Sequence, residues 1–268
     1  MTRLHLWKGL LVALLVYVFT GSLARQQPRE RVETTLNFAL PPALSIFAFA
    51  GDRYLAANYE VFRAVTVGTQ SLDKATLRSL AVVQENASLL NSFNEDNYYT
   101  AAAILSWNGE YATAQRVLMR AGVARWNDPL PMFFHGFNQY YFEQKYLDAA
   151  ADLRVAAERS EGVNRRALTN IAAKWVEKSD QFDSAIAVVT AMRDQTRQED
   201  MKRTLQARLD RLYAMKLLAS AVATYREKTG RAPSSLAELV DAGQLKSIPA
   251  DPLGKVFVLN GAGKVAVK

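Results

Sequence analysis

The feature that most constrains the fold of this 268-residue chain is a repeat of about 35 residues in its middle. Three segments share the pattern, and their equivalent aromatic residues lie 35 and then 36 positions apart. A small residue follows each aromatic by three positions, and a large apolar residue follows four positions later. The aromatic and small residues are Tyr111 with Ala114, Tyr146 with Ala149, and Phe182 with Ala185. Self-similarity at this period is typical of stacked helix pairs, so the pattern predicts a helical array.

Across residues 97–197 this pattern resembles the tetratricopeptide repeat (TPR), a helix–turn–helix unit of about 34 residues. The resemblance implies that each aromatic opens the second helix of a unit and packs on the first helix. The alanine one turn later lets two helix backbones come close. The first-helix positions match poorly, and Gly136 stands where the family prefers a large residue.

A TPR-like array implies a concave groove that receives an extended or helical peptide. Two interpretations of the groove remain open, because the helix that follows the repeats carries an apolar stripe and is able to fill it. The stripe consists of Leu205, Leu209, Leu212, Leu217 and Val222. If the groove is open, the aromatic-rich segment 126–146 is the best candidate for partner contacts, although core packing competes for the same side chains. The predicted partner-binding residues are Trp126, Phe133, Phe137, Tyr140 and Tyr141.

The amino-terminal segment, residues 1–24, is predicted to be a transmembrane anchor. Sixteen uncharged residues separate Lys8 from Arg25, close to the roughly 17 that a tilted or snorkelling span requires. A cleaved signal peptide is the alternative, because Ser22 and Ala24 form a small-x-small site. Residues 25–37 then serve as a connector, and residues 38–96 as a helical cap whose apolar start, 38–51, suits a buried or interfacial helix, with burial favoured.

Residues 198–228 are predicted to form one long helix, and residues 229–268 a small module. Gly230 suits a helix C-cap, Ser234 or Ser235 an N-cap, and Asn260-Gly261 a hairpin turn between two β-prone runs. The order of residues from Ala221 to Phe257 resembles the segment after the long helix of type II secretion pseudopilins and other pilin-like proteins. The matching residues are Ala221, Tyr225, Gly230, Pro233, Leu236, Leu239, Gly243, Leu245, Pro249, Asp251, Pro252, Gly254 and Phe257.

This resemblance has limits. Ala232 and Leu253 replace the aromatic residues of the family pattern, and a repeat array stands where a pilin would have its processed helix. The chain is therefore not predicted to be a pilin subunit. For Asp251, turn capping is favoured over a calcium site, because one carboxylate is a poor ligand set.

No residue pattern for catalysis is found in the sequence. There are no cysteines, which excludes disulfides and thiolate metal sites, and neither histidine, His5 nor His135, has a catalytic or metal-binding spacing around it. No phosphate-binding loop is present. The formal net charge is +7, but basic and acidic residues alternate, which is typical of solvated helix faces rather than of a nucleic-acid surface. We therefore expect no enzyme activity, cofactor, metal, small-molecule substrate or nucleic-acid partner.

The predicted fold class is mostly α: an N-terminal transmembrane helix, a TPR-like helical array, and a small C-terminal helix with a β-hairpin. The order of anchor, repeats and pilin-like tail resembles bacterial membrane-anchored repeat proteins. It implies a single-pass protein of the inner membrane whose anchor contacts lipid. The charges on either side of the anchor do not settle its orientation, but the signal-like layout of residues 1–24 favours a periplasmic body. The predicted function is a scaffold or adaptor that binds a protein partner in an envelope assembly such as a secretion or pilus system. The alternative is a permanent accessory subunit of a larger membrane complex.

Overall fold

The computed structural model describes residues 12–20, 22, 36, 38–67 and 72–268. Residues 12–20 are helical and their side chains are exposed. The rest of the predicted anchor (1–24), except residue 22, and the connector (25–37), except residue 36, lie outside the described residues. Among the helices that the structure describes, none combines the length and apolar character needed to cross a bilayer.

The chain is mostly helical and ends in a small antiparallel hairpin, as the sequence predicts. Two helices change type before they end: α4 continues as a π-helical turn (Ala101–Leu105) and a 3₁₀ turn (Ser106–Asn108), and α6 as a π-helical turn (Gln139–Glu143). The elements are α1 Pro42–Ala48, α2 Arg53–Thr66, α3 Lys74–Leu90, α4 Glu95–Thr100, α5 Tyr111–Ala124, α6 Leu130–Asn138, α7 Tyr146–Glu158, α8 Gly162–Val176, α9 Phe182–Gln195, α10 Glu199–Thr229, α11 Leu236–Asp241, β1 Phe257–Leu259 and β2 Val265–Val267.

The middle of the chain consists of three helix pairs, α4–α5, α6–α7 and α8–α9, at the spacing of the sequence repeat. Each second helix begins at the repeated aromatic residue, Tyr111, Tyr146 or Phe182. Tyr111 is exposed, whereas Tyr146 and Phe182 are half-buried, and the Tyr146 ring lies 5.5 Å from that of Tyr140 on the first helix of its pair.

The repeated alanines show why a small residue recurs. Ala114, Ala149 and Ala185 are each 0% exposed and lie on the inner face of the second helix. Any larger side chain there would push neighbouring helices apart. These equivalent positions of the repeat are therefore equally buried in the structure.

The buried apolar side chains of the described residues fall into four clusters along the chain. One lies beneath α3 to α5, one beneath α7 to α10, one between α10 and the C-terminal module, and a small one between α2 and the end of α3. Helix α10 packs mainly on α9 and extends the stack as a further layer. Of its predicted apolar stripe, Leu205, Leu209, Leu212 and Val222 are buried, whereas Leu217 is exposed.

In the predicted cap region, Asp52 and Asp73 accept hydrogen bonds from the first-turn amides of α2 and α3, which explains where these helices begin. The expectation of a buried helix within 38–51 is wrong. Only Ser45 of α1 is buried, and Phe47 is 83% exposed. Because α1 has only seven residues after Pro41, it is too short to bury more than one edge against α2 and α3.

The C-terminal module has the predicted elements. Gly230 ends α10 at φ 75°, and Ser235 caps α11. Strands β1 and β2 pair through Phe257 opposite Val267 and are joined by a five-residue loop that begins with Asn260-Gly261. The Asn260 side chain accepts hydrogen bonds from the amides of Ala262 and Lys264 and so holds this loop.

A buried ion-pair network attaches the module to the array. Both carboxylate oxygens of Asp251 accept hydrogen bonds from the Arg211 guanidinium, at 2.8 and 2.6 Å, and Asp251 also caps the Lys255 amide. Glu177, at the end of α8, binds Arg211 at 3.0 Å and also pairs with Arg208. The Asp251 carboxylate thus serves a turn and an arginine. Within the described residues no group of three His, Cys, Asp or Glu is arranged to hold a metal ion.

Candidate protein-docking site

Four aromatic side chains from the first two helix pairs form one surface. Trp107, Phe137, Tyr141 and Phe142 are hereafter called the aromatic cluster. The Trp107 ring centroid lies 5.1 Å from Tyr141, 5.2 Å from Phe142 and 6.4 Å from Phe137. Phe137 and Tyr141 stack at 5.7 Å with their planes 10° apart. Trp107 and Tyr141 are 55% and 54% exposed, so the cluster presents flat aromatic area to solvent.

The backbone turns that carry these residues are unusual. The first helices of both pairs end in π-helical turns, Ala101–Leu105 and Gln139–Glu143, whereas α8 stays α-helical from Gly162 to Val176. A π turn adds one residue to a helical turn and so re-aims the side chains that follow; such turns are frequent at functional sites. Here they precede Trp107 and carry Tyr141 and Phe142.

Buried polar contacts fix the two helix ends beneath the aromatic cluster. The Asn138 side-chain amide donates to Ser106 Oγ at 2.8 Å and to Gln115 Oε1 at 3.1 Å. Gln115 in turn donates to the His135 carbonyl at 3.1 Å. Asn138 and Ser106 are both buried, so these bonds are shielded from water and hold α6 against the first pair. The aromatic cluster therefore stands on a rigid base.

The structure distributes the five predicted partner-binding residues among three environments. Phe137 and Tyr141 lie in the aromatic cluster, and Phe137 also packs on the buried residues of the middle core. Phe133 and Tyr140 pack on the buried residues of the middle core, and the Tyr140 ring stacks on Trp175 at 4.5 Å. Trp126 is 74% exposed and precedes the start of α6, whereas Tyr141 lies in the π-helical turn that follows the end of α6. Two of the five thus share one surface.

The five predicted residues include neither Trp107 nor Phe142, although Phe142 lies within the candidate segment 126–146. A signal for them existed in the repeat register. Trp107 and Phe142 stand 35 positions apart, as Tyr111 and Tyr146 do, and therefore occupy equivalent places at the ends of two first helices.

His135, the histidine of the array, has a structural position. Its Nδ1 lies 2.6 Å from Asp152 Oδ2, and the ring is buried between α6 and α7. The pair fastens the two helices next to Gly136, where they come closest. Its surroundings fit the sequence-based interpretation of His135 as a packed residue.

A second exposed apolar surface lies at the amino-terminal end. Phe47 of α1 is 83% exposed, and Leu55, Tyr59 and Phe62 follow one face of α2 with exposures of 51%, 45% and 62%. Phe49 contacts Tyr59 at a ring distance of 5.2 Å. An exposed apolar area of this kind marks contact with another protein or with a membrane.

Comparison of the chain with protein-family models, with curated proteins and with solved structures gives no significant match. Functional inference for this protein therefore depends on its own residues and geometry.

Proposed function

We propose that the protein is a non-catalytic, membrane-tethered scaffold or adaptor with a TPR-like array that docks a protein partner on the aromatic cluster. The observation that carries the proposal is the cluster itself: a half-exposed tryptophan and a half-exposed tyrosine on a hydrogen-bonded base, between two repeat units. Tryptophan and tyrosine are enriched among the residues that dominate binding energy at protein interfaces.

The partner segment that fits this surface is apolar or aromatic. Rings such as those of Trp107 and Tyr141 gain from burying apolar area and from stacking, while the indole N–H and the phenol O–H remain available to peptide carbonyls. The tryptophan and tyrosine rings carry no charge, so salt should weaken docking little. An extended or helical peptide that inserts one or two large side chains meets these conditions.

The membrane part of the proposal is supported by the amino-terminal sequence. Residues 12–20 are helical, and their side chains include Leu14, Val16 and Phe19 at 56–64% exposure. Exposure of such apolar side chains to water is unfavourable. The order of anchor, array and pilin-like tail favours a bacterial envelope assembly, such as a secretion or pilus system, as the setting.

Photocrosslinking in native membranes tests the docking site. A photoreactive phenylalanine analogue placed at position 107 or 141 is expected to yield a discrete adduct with one partner, identified by mass spectrometry. The same analogue at Trp126, which is 74% exposed against 55% and 54% for Trp107 and Tyr141, serves as the control. If position 126 gives the adduct and positions 107 and 141 give none, the aromatic cluster is not the docking site.

With the partner in hand, Trp107→Ala and Tyr141→Ala are each expected to weaken binding by about 30-fold, the loss typical of a central interface aromatic. Trp126→Ala should change the affinity by less than about threefold, as expected for a peripheral residue. Titration calorimetry with unchanged far-ultraviolet circular dichroism is the measurement. Equal losses for all three variants would contradict a localised site.

A permanent accessory subunit is the second candidate, and the exposed face of α1 and α2 favours it, because permanent interfaces are the more hydrophobic ones. Purification in mild detergent separates the two. Stoichiometric co-purification that resists dilution and is lost in Phe47→Ser/Phe62→Ser indicates a subunit. Capture that reverses on dilution and depends on Trp107 indicates an adaptor.

A further inference from the structure

A cleft of about 430 Å³ opens between the end of α7, the start of α8, the end of α9 and the start of α10. It lies at the end of α7 away from Tyr141 and Phe142 of the aromatic cluster. Four arginines line it: Arg154, Arg165, Arg166 and Arg197, hereafter the basic cleft. Glu158 is its one lining carboxylate. The volume falls in the range of about 300–1,000 Å³ that is usual for ligand sites.

The cleft follows from the way the helices pack. Helix α8 packs extensively on α7 and much less on α9, and the cleft lies between the start of α8 and the end of α9. Ala157, Met192 and Met201, which are buried, form an apolar floor in this gap. The first turn of α10 stands at the rim, and its free amide groups add a partial positive charge. That charge is offset by the first-turn carboxylates Glu199 and Asp200, of which Glu199 pairs with Lys202.

The arginines of the basic cleft differ from the other arginines of the array in their partners. Among the described residues none of the four forms an ion pair, whereas Arg116, Arg120, Arg125 and Arg193 each pair with a carboxylate. Arg165 donates to the carbonyls of Ser160 and Glu158 at 2.7 and 3.2 Å, and Arg154 to the neutral Gln195 amide at 3.3 Å. These bonds orient Arg154 and Arg165 without neutralising their charge.

Uncompensated like charges around one cleft repel each other, and an anion removes this cost. Guanidinium groups bind carboxylates and phosphates through paired N–H donors. One fork is sufficient for a carboxylate, while a phosphate carries more charge and more acceptor oxygens and is able to engage several arginines. We propose that the basic cleft binds a phosphate group, with the apolar floor contacting the organic part of the ligand.

The phosphate has two possible sources, a soluble phosphate compound or the headgroup of an anionic phospholipid, and the test separates them. The full chain is placed in phosphatidylcholine nanodiscs at low ionic strength and titrated with pyrophosphate or with a short-chain phosphatidylglycerol below its micellar concentration. Binding of pyrophosphate with the lipid silent indicates a soluble ligand. Binding of the lipid indicates a headgroup site.

The double variant Arg166→Gln/Arg197→Gln is expected to have an affinity about 10-fold or more lower for whichever probe binds, because each substitution removes a charged hydrogen-bond donor. Arg165 is left intact because it caps backbone carbonyls. Arg78→Gln/Arg203→Gln, which removes the same charge from exposed helix positions, is the matched control and should retain the affinity. The proposal is overturned if neither probe binds, or if both double variants reduce binding equally. The docking of a protein on the aromatic cluster should be unaffected in either case.

Discussion

Gly136→Ala should lower the free energy of unfolding by about 2 kcal/mol or more, despite the higher helix propensity of alanine. A Cβ at this position would lie 2.8 Å from the Ala149 carbonyl oxygen, 3.0 Å from Asp152 Cβ and 3.2 Å from Leu153 Cδ1. The first obstacle is backbone, which is unable to rotate away, so α6 and α7 would have to separate. Separation would also stretch the buried contact between His135 and Asp152. Urea denaturation of the detergent-solubilised chain, followed by circular dichroism, measures the loss.

Gly122→Ala is the matched control, because it adds the same atom in another buried helix. There the new Cβ would meet the Met132 side chain, with Sδ at 2.5 Å and Cγ at 3.3 Å. A methionine side chain is flexible and gives way at small cost. We expect a change within about 1 kcal/mol, since the gain in helix propensity offsets the repacking. Equal effects for the two glycines would show that helix proximity at Gly136 is not the cause.

Asp251→Ala should destabilise the C-terminal module by about 3 kcal/mol, the lower end of the cost of leaving a buried charge without its partner. The Asp251 side chain is 0% exposed and that of Arg211 is 8% exposed, so water does not replace the lost carboxylate. The lower end applies because Glu177 still binds Arg211. Limited proteolysis at the loops after α10, together with denaturation, reports the loss.

An exposed pair that joins the same two regions provides the control. Lys264 of the hairpin pairs with Asp180 of the α8–α9 turn, and both side chains are about 60% exposed. Asp180→Ala should cost less than about 1 kcal/mol, because surface pairs are screened and well solvated. If Asp180→Ala releases the C-terminal module as readily as Asp251→Ala does, then burial of the Arg211 network is not what holds the module to the array.

The same network makes the attachment of the module depend on pH. The hydrogen bonds from Arg211 lower the pKa of Asp251 below its ordinary value of 3.8, against the opposing effect of burial. A lowered pKa in the folded state means that the stabilisation is complete above the ordinary value and is lost as the pH falls through the folded-state value. The free energy of unfolding of the native chain should therefore fall more steeply as the pH is lowered than that of Asp251→Ala. Parallel curves would exclude Asp251 as the titrating group.

Local rules predicted the elements of this fold well. The repeat spacing located three helix starts at Tyr111, Tyr146 and Phe182, and glycine at position 230 ended the long helix as expected. Each of these signals is contained in a few neighbouring residues or in a fixed period, so no knowledge of distant contacts is needed.

Features that depend on pairs of residues far apart in the chain were not predictable in this way. Asp251 and Arg211 are 40 positions apart, and no local pattern joins them. The membership of Trp107 in the aromatic cluster depends on how two π-helical turns aim their side chains. The exposure of α1 depends on the shortness of the helix after Pro41, while the sequence alone showed only its apolar character.

The division of the interior into four clusters in a row has a consequence for how the molecule loses structure. When each helical layer contacts only its neighbours, the layers unfold from the ends of the stack inward, and each layer has its own free energy of local unfolding. Amide hydrogen exchange should therefore be slowest in α7 to α9 and faster towards both extremities. A partner bound to the first two helix pairs would slow local unfolding at that end of the stack, including in neighbouring helices that the partner does not contact.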